Sequence, residues 1–417
     1  MDSKDWEKEH ILYIANEIPI GSESPEVKQF RSVIEPWLTA VFQSEHLSLL
    51  LGTGITTGIV YEAGKSPQAM QRIEFETAKD RIKDHADDQA KKLGRGGANF
   101  EDDLRTAIEL LKGLNILQDT KANALETELN DKLKTLIVNL LANERAVLEA
   151  EEGKSALLLL KRFLISFSSR TATRDRLNIF TTNYDRFIEY SLDSAGIHTL
   201  DRFVGKLNPI MRMNKMELDF HYNPPGIRGE PRYVEGVVRY TKLHGSLDWR
   251  MNGEDIQKEP LPFGTKLNKE DIADPYKKYV IYPNSAKGID TAYFPYSELF
   301  RDFSTATCRP NSVLVTYGYG FGDSHINAVI ADMLTIPSTH LAIISYDKAD
   351  GRIQKFVENC NLSQITLLIG NHFGHIRTLT ENYLPKSAID RISDRKQKIE
   401  EKRGFDKYHK TEGENGE

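Results

Sequence analysis

The feature that most constrains the fold is a series of short apolar runs, each of which ends in glycine or small polar residues. Their composition and length are typical of buried strands. They lie within residues 46–58, 177–183, 237–245, 279–283, 312–320, 340–347 and 364–370. Helical periodicity follows several of them, at 185–195, 323–334, 349–360 and 372–384. This alternation predicts an α/β fold built on a doubly wound parallel sheet, with helices on both faces.

Two flanking segments lie outside this pattern. Residues 1–45 predict an N-terminal arm of helix and connector, in which Glu35-Pro36 argues against one continuous helix. Residues 386–417 are polar and charged, which predicts a frayed or disordered C-terminal tail. The main domain is therefore expected to span about residues 46–385.

Two insertions are predicted within the main domain. Residues 66–167 have helical periodicity, and residues 201–233 contain Pro, Gly, Met and Tyr without a clear period, which indicates a loop-rich segment. The helical insertion carries a leucine-rich stripe made of Leu125, Leu129, Leu133, Leu136, Ile137, Leu140 and Leu141. This stripe predicts core or helix–helix packing. Helical faces beyond what one sheet can cover are either surfaces for self-association or a private helical subdomain.

Composition excludes several classes of function. The chain has 417 residues, 39% of them hydrophobic, which suffices for a sizeable core. No run approaches the roughly 18 apolar residues that cross a bilayer. The opening MDSKDWEKEH lacks the apolar stretch of a secretory signal, so we expect a cytoplasmic protein with no membrane partner. The net charge of -6 gives no electrostatic basis for direct nucleic-acid binding.

The cysteines argue against a structural metal. Cys308 and Cys360 are the only two in the chain, too few for a four-cysteine zinc site. We expect two ordinary buried or half-buried thiols and no bound metal.

The first candidate functional motif is Gly52-Thr53-Gly54, which follows an apolar strand. Glycines let the backbone approach a diphosphate closely, and a following helix N-terminus supplies free N–H donors. The same turn also occurs as a purely structural one.

Two polar clusters end the next predicted parallel strands. Thr181-Thr182-Asn183-Tyr184-Asp185 places an amide and a carboxylate at the end of a buried strand, although Asn183 or Asp185 could equally cap the following helix. Lys242-Leu243-His244-Gly245-Ser246 places an imidazole at a strand end, and imidazole is the side chain best suited to take a proton at neutral pH.

Later strand ends add further candidates. A glycine-rich turn spans residues 317–325, Ser345 and Asp347 end the next strand, and Gly370-Asn371 follows the last. In open α/β sheets the carboxyl ends of the strands bind ligands, so these motifs are expected to converge.

Taken in order, these motifs resemble the sirtuin fingerprint. Gly-Thr-Gly-Ile-Thr from Gly52 is followed by Thr-Asn-x-Asp from Thr182, by Ala-Gly at 195–196 and by Leu-His-Gly-Ser from Leu243. The Asn-x-Asp and Leu-His-Gly-Ser pair is specific, and the glycine turns support it. The resemblance spans roughly residues 46–384 and implies a Rossmann-like sirtuin fold that uses NAD.

Two stretches resemble a narrower group, the bacterial sirtuin-like NAD hydrolases of phage defence. They are Asn-Phe-Glu-Asp at 99–102 and Gly-Tyr-Gly-Phe-Gly-Asp-Ser-His-Ile-Asn at 318–327. The chain departs from the protein deacylases, because it lacks their two zinc-holding Cys-x-x-Cys pairs and has Thr182 where they have Gln. For Glu101 and Asp102, a solvated helix start is an equal alternative.

The resemblance also implies roles for individual residues. Asn183 would orient the ribose and an attacking water, Asp185 would help hold the nicotinamide amide, and His244 would be the general base. A positioned base contributes about 10²–10⁴-fold to a rate. The residues expected to line the NAD site are Gly52, Thr53, Gly54, Thr56 and Thr182, with Gly318, Ser345 and Asn371 at the adenosine end.

We therefore predict an NAD hydrolase that releases nicotinamide and ADP-ribose and acts in antiphage defence by depleting NAD. A stand-alone chain of this size resembles the sirtuin-like hydrolases that are paired with a HerA-type hexameric ATPase. We therefore expect a homo-oligomer that depends on such a partner. A different neighbour, such as a short Argonaute, is the alternative partner. The alternative functions are an NAD-dependent protein deacylase and a non-catalytic NAD or ADP-ribose sensor.

Overall fold

The computed structural model describes residues 3–14, 27–68, 72–92, 97–170, 174–213, 218–222, 232–281 and 294–385. The strands are β1 Ile11–Tyr13, β2 His46–Leu51, β3 Asn178–Thr181, β4 His198–Leu200, β5 Phe203–Val204, β6 Ile210–Met211, β7 His221–Tyr222, β8 Arg232–Tyr233, β9 Val237–Lys242, β10 Gly245–Asn252, β11 Asp255–Lys258, β12 Tyr279–Ile281, β13 Ser312–Tyr317, β14 His340–Ser345 and β15 Ile365–Ile369. The helices are α1 Val27–Phe42, α2 Thr53–Glu62, α3 Lys79–Lys92, α4 Phe100–Ile116, α5 Lys121–Glu149, α6 Gly153–Ser168, α7 Phe187–Ser194, α8 Pro275–Lys278, α9 Tyr296–Thr307, α10 Ser324–Leu334, α11 Arg352–Val357, α12 Asn371–Gly374 and α13 Ile376–Thr378.

The central sheet has eight strands in the order β1-β15-β14-β13-β2-β3-β9-β4. Every neighbouring pair is parallel except β1 with β15. After β2 the chain adds β3 and β9 on one side, and it then returns to add β13, β14 and β15 on the other. The predicted doubly wound parallel sheet is therefore confirmed, with its topological switch point between β2 and β13.

A second, antiparallel sheet has the order β12-β10-β11-β6-β5. The prediction that residues 279–283 contribute a strand to the parallel sheet is wrong, because β12 pairs with β10 instead. The chain leaves the parallel sheet at Gly245, whose φ is +85°. A Cβ at this position would collide with the carbonyl oxygen of Val280, so the reversal requires glycine.

The predicted loop-rich segment at 201–233 is only partly described. Short strands β5 to β8 lie in it, and β5 and β6 extend the second sheet. Residues 214–217 and 223–231 lie outside the described residues.

The prediction against a continuous helix at Glu35-Pro36 is also wrong. Helix α1 contains Pro36 in its interior. Its face from Phe30 through Ile34 to Leu38 is buried in the main core, and this packing outweighs the cost of the proline.

Within the helical insertion, α3, α4 and α5 pack in one hydrophobic cluster, whereas α6 packs in the core of the central sheet. The leucine stripe of α5 packs in the first of these with residues of α4, including Leu104 and Leu111, and with Ile281 of β12. The stripe is therefore core, as predicted. The use of other helical faces for self-association stays a prediction.

The structure describes much of the N-terminal flanking segment and none of the C-terminal one. Strand β1 and helix α1, both within the predicted N-terminal arm, pack against the central sheet and its core. The predicted tail at 386–417 lies outside the described residues. Cys308 and Cys360 are free and half-buried, as predicted. Among the described helices, none is long and apolar enough to cross a membrane.

Candidate active site

A cleft of about 530 Å³ opens at the switch point, a size typical of small-molecule sites. Seven of the residues predicted from the sequence line it: Gly52, Thr53, Thr56, Thr182, Asn183, Asp185 and His244. The helical insertion supplies an opposite wall that includes Asn99, Phe100, Glu101, Leu140 and Asn143. The structure thus brings the strand-end motifs together under a helical wall.

Asn183 is held by the backbone of the first glycine turn. Its Nδ2 donates to the carbonyl of Gly52 and to the Thr56 hydroxyl, both at 3.0 Å. Its Oδ1 is buried and has no hydrogen-bond partner among the described residues. The amide is therefore fixed in orientation and retains one free acceptor.

Asp185 lies on the far side of the same network. It accepts from the Thr56 hydroxyl at 2.7 Å and from the Phe187 N–H at 3.3 Å, so it also caps α7. Burial raises the pKa of Asp185, and the charge of Lys242 only partly opposes this. The buried Lys242 ammonium donates to the carbonyls of Tyr184 and Asp185 and to the Glu189 carboxylate. These hydrogen bonds hold the turn that carries Asp185 in place.

His244 forms a buried pair with Asp323, at 2.8 Å from Nε2 to Oδ2. Burial by itself lowers the pKa of His244, but the hydrogen bond and charge of Asp323 outweigh it, so the pKa lies above its ordinary value. Nδ1 is buried and without a hydrogen-bond partner among the described residues. With a proton on Nε2, the neutral ring presents Nδ1 as a proton acceptor.

Asp323 performs two functions at once. Its Oδ1 accepts from the N–H groups of His325 and Ile326, which caps α10, while its Oδ2 faces His244. The pKa of Asp323 is lowered, because the bonds and charge of His244 outweigh the opposing effect of burial. Sequence reasoning missed this residue. An Asp directly after a glycine-rich turn and before a helix is a cap signal that could have drawn attention to it.

Glu101 and Asp102, which the sequence could not separate, have different roles. Asp102 is fully buried and forms a capping box with Asn99 at the start of α4. Glu101 lines the cleft, accepts from the Tyr184 hydroxyl at 3.1 Å and lies 4.0 Å from Nδ1 of His244. The alternative prediction, that Glu101 and Asp102 form a solvated helix start, is therefore wrong.

The glycines of the first turn pack against another backbone. A Cβ on Gly54 would lie 2.6 Å from the Cα of Gly318, and one on Gly52 would collide with the Gly318 carbonyl. These two turns contact each other at the switch point, and neither Gly54 nor Gly318 lines the cleft. A side chain added at Gly54 would therefore meet protein rather than the cleft.

Ser345 and Asn371, predicted at the adenosine end, also do not line the cleft. The Asn371 Oδ1 lies 2.6 Å from Nε2 of His10, and its Nδ2 donates to Glu9 at 3.2 Å. Ser345 is buried at the end of β14, and its carbonyl accepts from the Gly370 N–H. Their part in binding stays a prediction.

The match to known families agrees with this geometry. Residues 177–365 match the family model of the SIR2-like domain. This span contains Asn183, Asp185, His244 and Asp323, and it supports a sirtuin-like protein that uses NAD. No protein of curated function matches the chain. Among the described residues, no three His, Cys, Asp or Glu side chains converge as a metal site would require.

Proposed function

We propose that this protein is an NAD hydrolase, which cleaves the bond between nicotinamide and ribose to give nicotinamide and ADP-ribose. One observation carries the proposal. Asn183 Oδ1 and His244 Nδ1 are both buried without hydrogen-bond partners among the described residues, and both residues line one cleft. A buried polar atom left unpaired costs about 1–3 kcal/mol, so two in one cleft indicate that a ligand supplies their partners.

The reaction needs few groups, because nicotinamide in NAD is a cationic leaving group. As the C–N bond breaks, its electron pair neutralises the ring nitrogen, and positive charge develops on the ribose. Asn183 is placed to hold the ribose through its free oxygen. Water then attacks the anomeric carbon, and its proton passes to His244 Nδ1, while Asp323 holds the ring in position.

The helical wall favours hydrolysis over transfer to a protein substrate. Phe100, Leu140 and Glu101 of the helical insertion line the same cleft as Asn183 and His244. A deacylase must admit an acylated lysine at this place, whereas a hydrolase needs only water. The two buried, positioned groups also favour an enzyme over a sensor, since binding alone requires no base.

Product analysis tests the proposal. The purified protein is incubated with NAD, with and without an acetylated peptide, and the products are separated and quantified. We expect nicotinamide and ADP-ribose in equal amounts, independent of the peptide. Peptide-dependent formation of acetylated ADP-ribose would identify a deacylase instead. Binding of NAD without turnover, both alone and with a HerA-type ATPase, would identify a sensor.

We further propose that the protein acts in antiphage defence as a homo-oligomer activated by a HerA-type hexameric ATPase. The support is the resemblance of residues 99–102 and 318–327 to hydrolases of phage defence. Unregulated NAD hydrolysis would deplete the host cell, so a control is required. Light scattering and NAD turnover are measured with and without the ATPase. A monomer that ignores the ATPase and turns over at full rate would contradict this proposal.

A further inference from the structure

We propose that Glu101 is a second catalytic residue, which holds the attacking water together with His244. This inference rests on the proposed hydrolase function. It assigns to the helical insertion a chemical part in the reaction, beside the residues of the sheet.

The position of Glu101 is the first argument. Its Oε1 lies 4.0 Å from Nδ1 of His244, which is too far for a direct hydrogen bond. Two hydrogen bonds of about 2.8 Å that meet at one oxygen at roughly 90° span this distance. A single water can therefore donate one hydrogen to Nδ1 and the other to Oε1. Both residues line the cleft, as does Asn183.

The environment of Glu101 is the second argument. The carboxylate has no Lys or Arg partner among the described residues, and its hydrogen bond comes from the Tyr184 hydroxyl. Four ionisable groups face it, namely His244, Asp323, Tyr184 and Asp102. Burial raises the pKa of Glu101, and the charge of His244 opposes this. A carboxylate that lies beside the proposed base, with no Lys or Arg among the described residues to neutralise it, indicates a role in the reaction.

The rigidity of its support is the third argument. Glu101 occupies the first turn of α4, which is fixed by the capping box between Asn99 and Asp102. Phe100 next to it is buried. A group that positions water must itself be held in place, and a capped helix start provides this.

The step balances without any co-reactant. A water oxygen forms the new bond to the anomeric carbon, and the C–N bond to nicotinamide breaks. One water proton passes to His244 Nδ1. The other remains on the new hydroxyl, where it is hydrogen-bonded to Glu101, whose negative charge also opposes the positive charge developing on the ribose.

The test compares Glu101→Gln with Glu109→Gln. Glu109 lies on the same helix with its side chain 48% exposed, so the control makes the same charge change away from the cleft. We expect Glu101→Gln to lower turnover on the order of 10²-fold, a loss in the range of a positioned proton-transfer group. NAD affinity by calorimetry and the unfolding midpoint should stay close to wild type. The control should retain wild-type turnover.

A pH profile separates a catalytic from a structural role. Tyr184→Phe removes a hydrogen bond that favours the ionised form of Glu101, so the acid limb of turnover should move to higher pH. If wild type cleaves NAD and Glu101→Gln cleaves it equally fast, the role of Glu101 is refuted while the hydrolase stands. If wild type releases no nicotinamide either alone or with the HerA-type ATPase, the hydrolase proposal itself fails.

Discussion

The two halves of the sheet's carboxyl edge carry similar polar motifs but use them differently. At β2, β3 and β9, the side chains of Asn183 and His244 each keep a buried atom without a partner among the described residues. At β14 and β15, the Asn371 amide is bonded to His10 and Glu9 from the N-terminal segment.

We expect a ligand to find its hydrogen-bond partners in the first half, where these two atoms belong to residues of one cleft. Polar groups that the chain itself satisfies contribute to stability, whereas buried groups left unsatisfied reduce it and persist where function requires them. Substitutions at the ends of β2, β3 and β9 are therefore expected to change mainly activity. Substitutions at the ends of β14 and β15 are expected to change mainly stability.

The largest effect is expected at His244. His244→Ala removes the base, and we expect turnover to fall by about 10²–10⁴-fold. Asn183→Ala should also abolish measurable cleavage, because the ribose would lose the amide that holds it in the proposed reaction. Nicotinamide release measures both, and circular dichroism checks the fold. Wild-type turnover in either variant would remove that residue from the reaction centre.

The next largest effect, on stability, is expected when the ion pair between the helical insertion and the end of the sheet is removed. Glu144 of α5 is fully buried and pairs with Arg186 at 2.6 Å beside Asp185. Glu144→Gln leaves a buried guanidinium uncompensated, which costs about 3–5 kcal/mol of unfolding free energy. Urea denaturation measures it, with the exposed Glu149→Gln on the same helix as control. Equal midpoints for the two variants would show that the pair does not anchor the insertion.

Asp323→Asn should produce a smaller loss of turnover and a shift in its pH dependence. Asparagine can still cap α10, so the fold is retained. Asp323 holds the pKa of His244 above its ordinary value, and a base must be neutral to act. Removing the charge lowers that pKa, so the acid limb of turnover should move to lower pH. An unchanged limb would mean that His244 does not titrate in the reaction.

Gly54→Ala should lower stability by about 1–3 kcal/mol, as expected for overpacking, because the new Cβ meets the Gly318 backbone at 2.6 Å. Gly58→Ala in the same helix is the matched control, since its Cβ would make only ordinary contacts, the nearest at 3.5 Å. Thermal unfolding compares the two. A stable Gly54→Ala with reduced NAD affinity would return Gly54 to the binding site.

The smallest effect on activity is expected at Asn371. Asn371→Ala removes two hydrogen bonds, which contribute about 0.5–1.5 kcal/mol each. The free energy of unfolding should therefore fall by about 1–3 kcal/mol, while turnover and NAD affinity stay close to wild type, because Asn371 does not line the cleft. A tenfold loss of affinity without a change in stability would place the adenosine end at β15 after all.

The parts of the site that are local in sequence could be predicted, and those that depend on contacts between distant segments could not. The positions of Asn183 and His244 at strand ends could be predicted, because each lies in a polar cluster directly after an apolar run. The pair of His244 with Asp323 joins residues 79 positions apart, so no local pattern reveals it. Glu101 stayed undecided because acidic residues at a helix start serve equally as caps.

The missed second sheet has a different cause. Strands β10 and β11 are joined by the two-residue loop Gly253-Glu254, with φ of +65° at Gly253. Such a loop is a strong local hairpin signal, so this part was available in the sequence. The pairing of this hairpin with β12 and β6 could not be predicted, because it joins segments that are distant in sequence.

Helix α4 joins the reaction centre to the molecular surface. Glu101 lies in its first turn, and its far end carries Ile116 and Leu117, whose exposed fractions are 81% and 76%. With 17 residues the helix is about 25 Å long and behaves as a rigid rod. A partner that bound this apolar tip would therefore contact the same helix that holds the carboxylate 4.0 Å from His244.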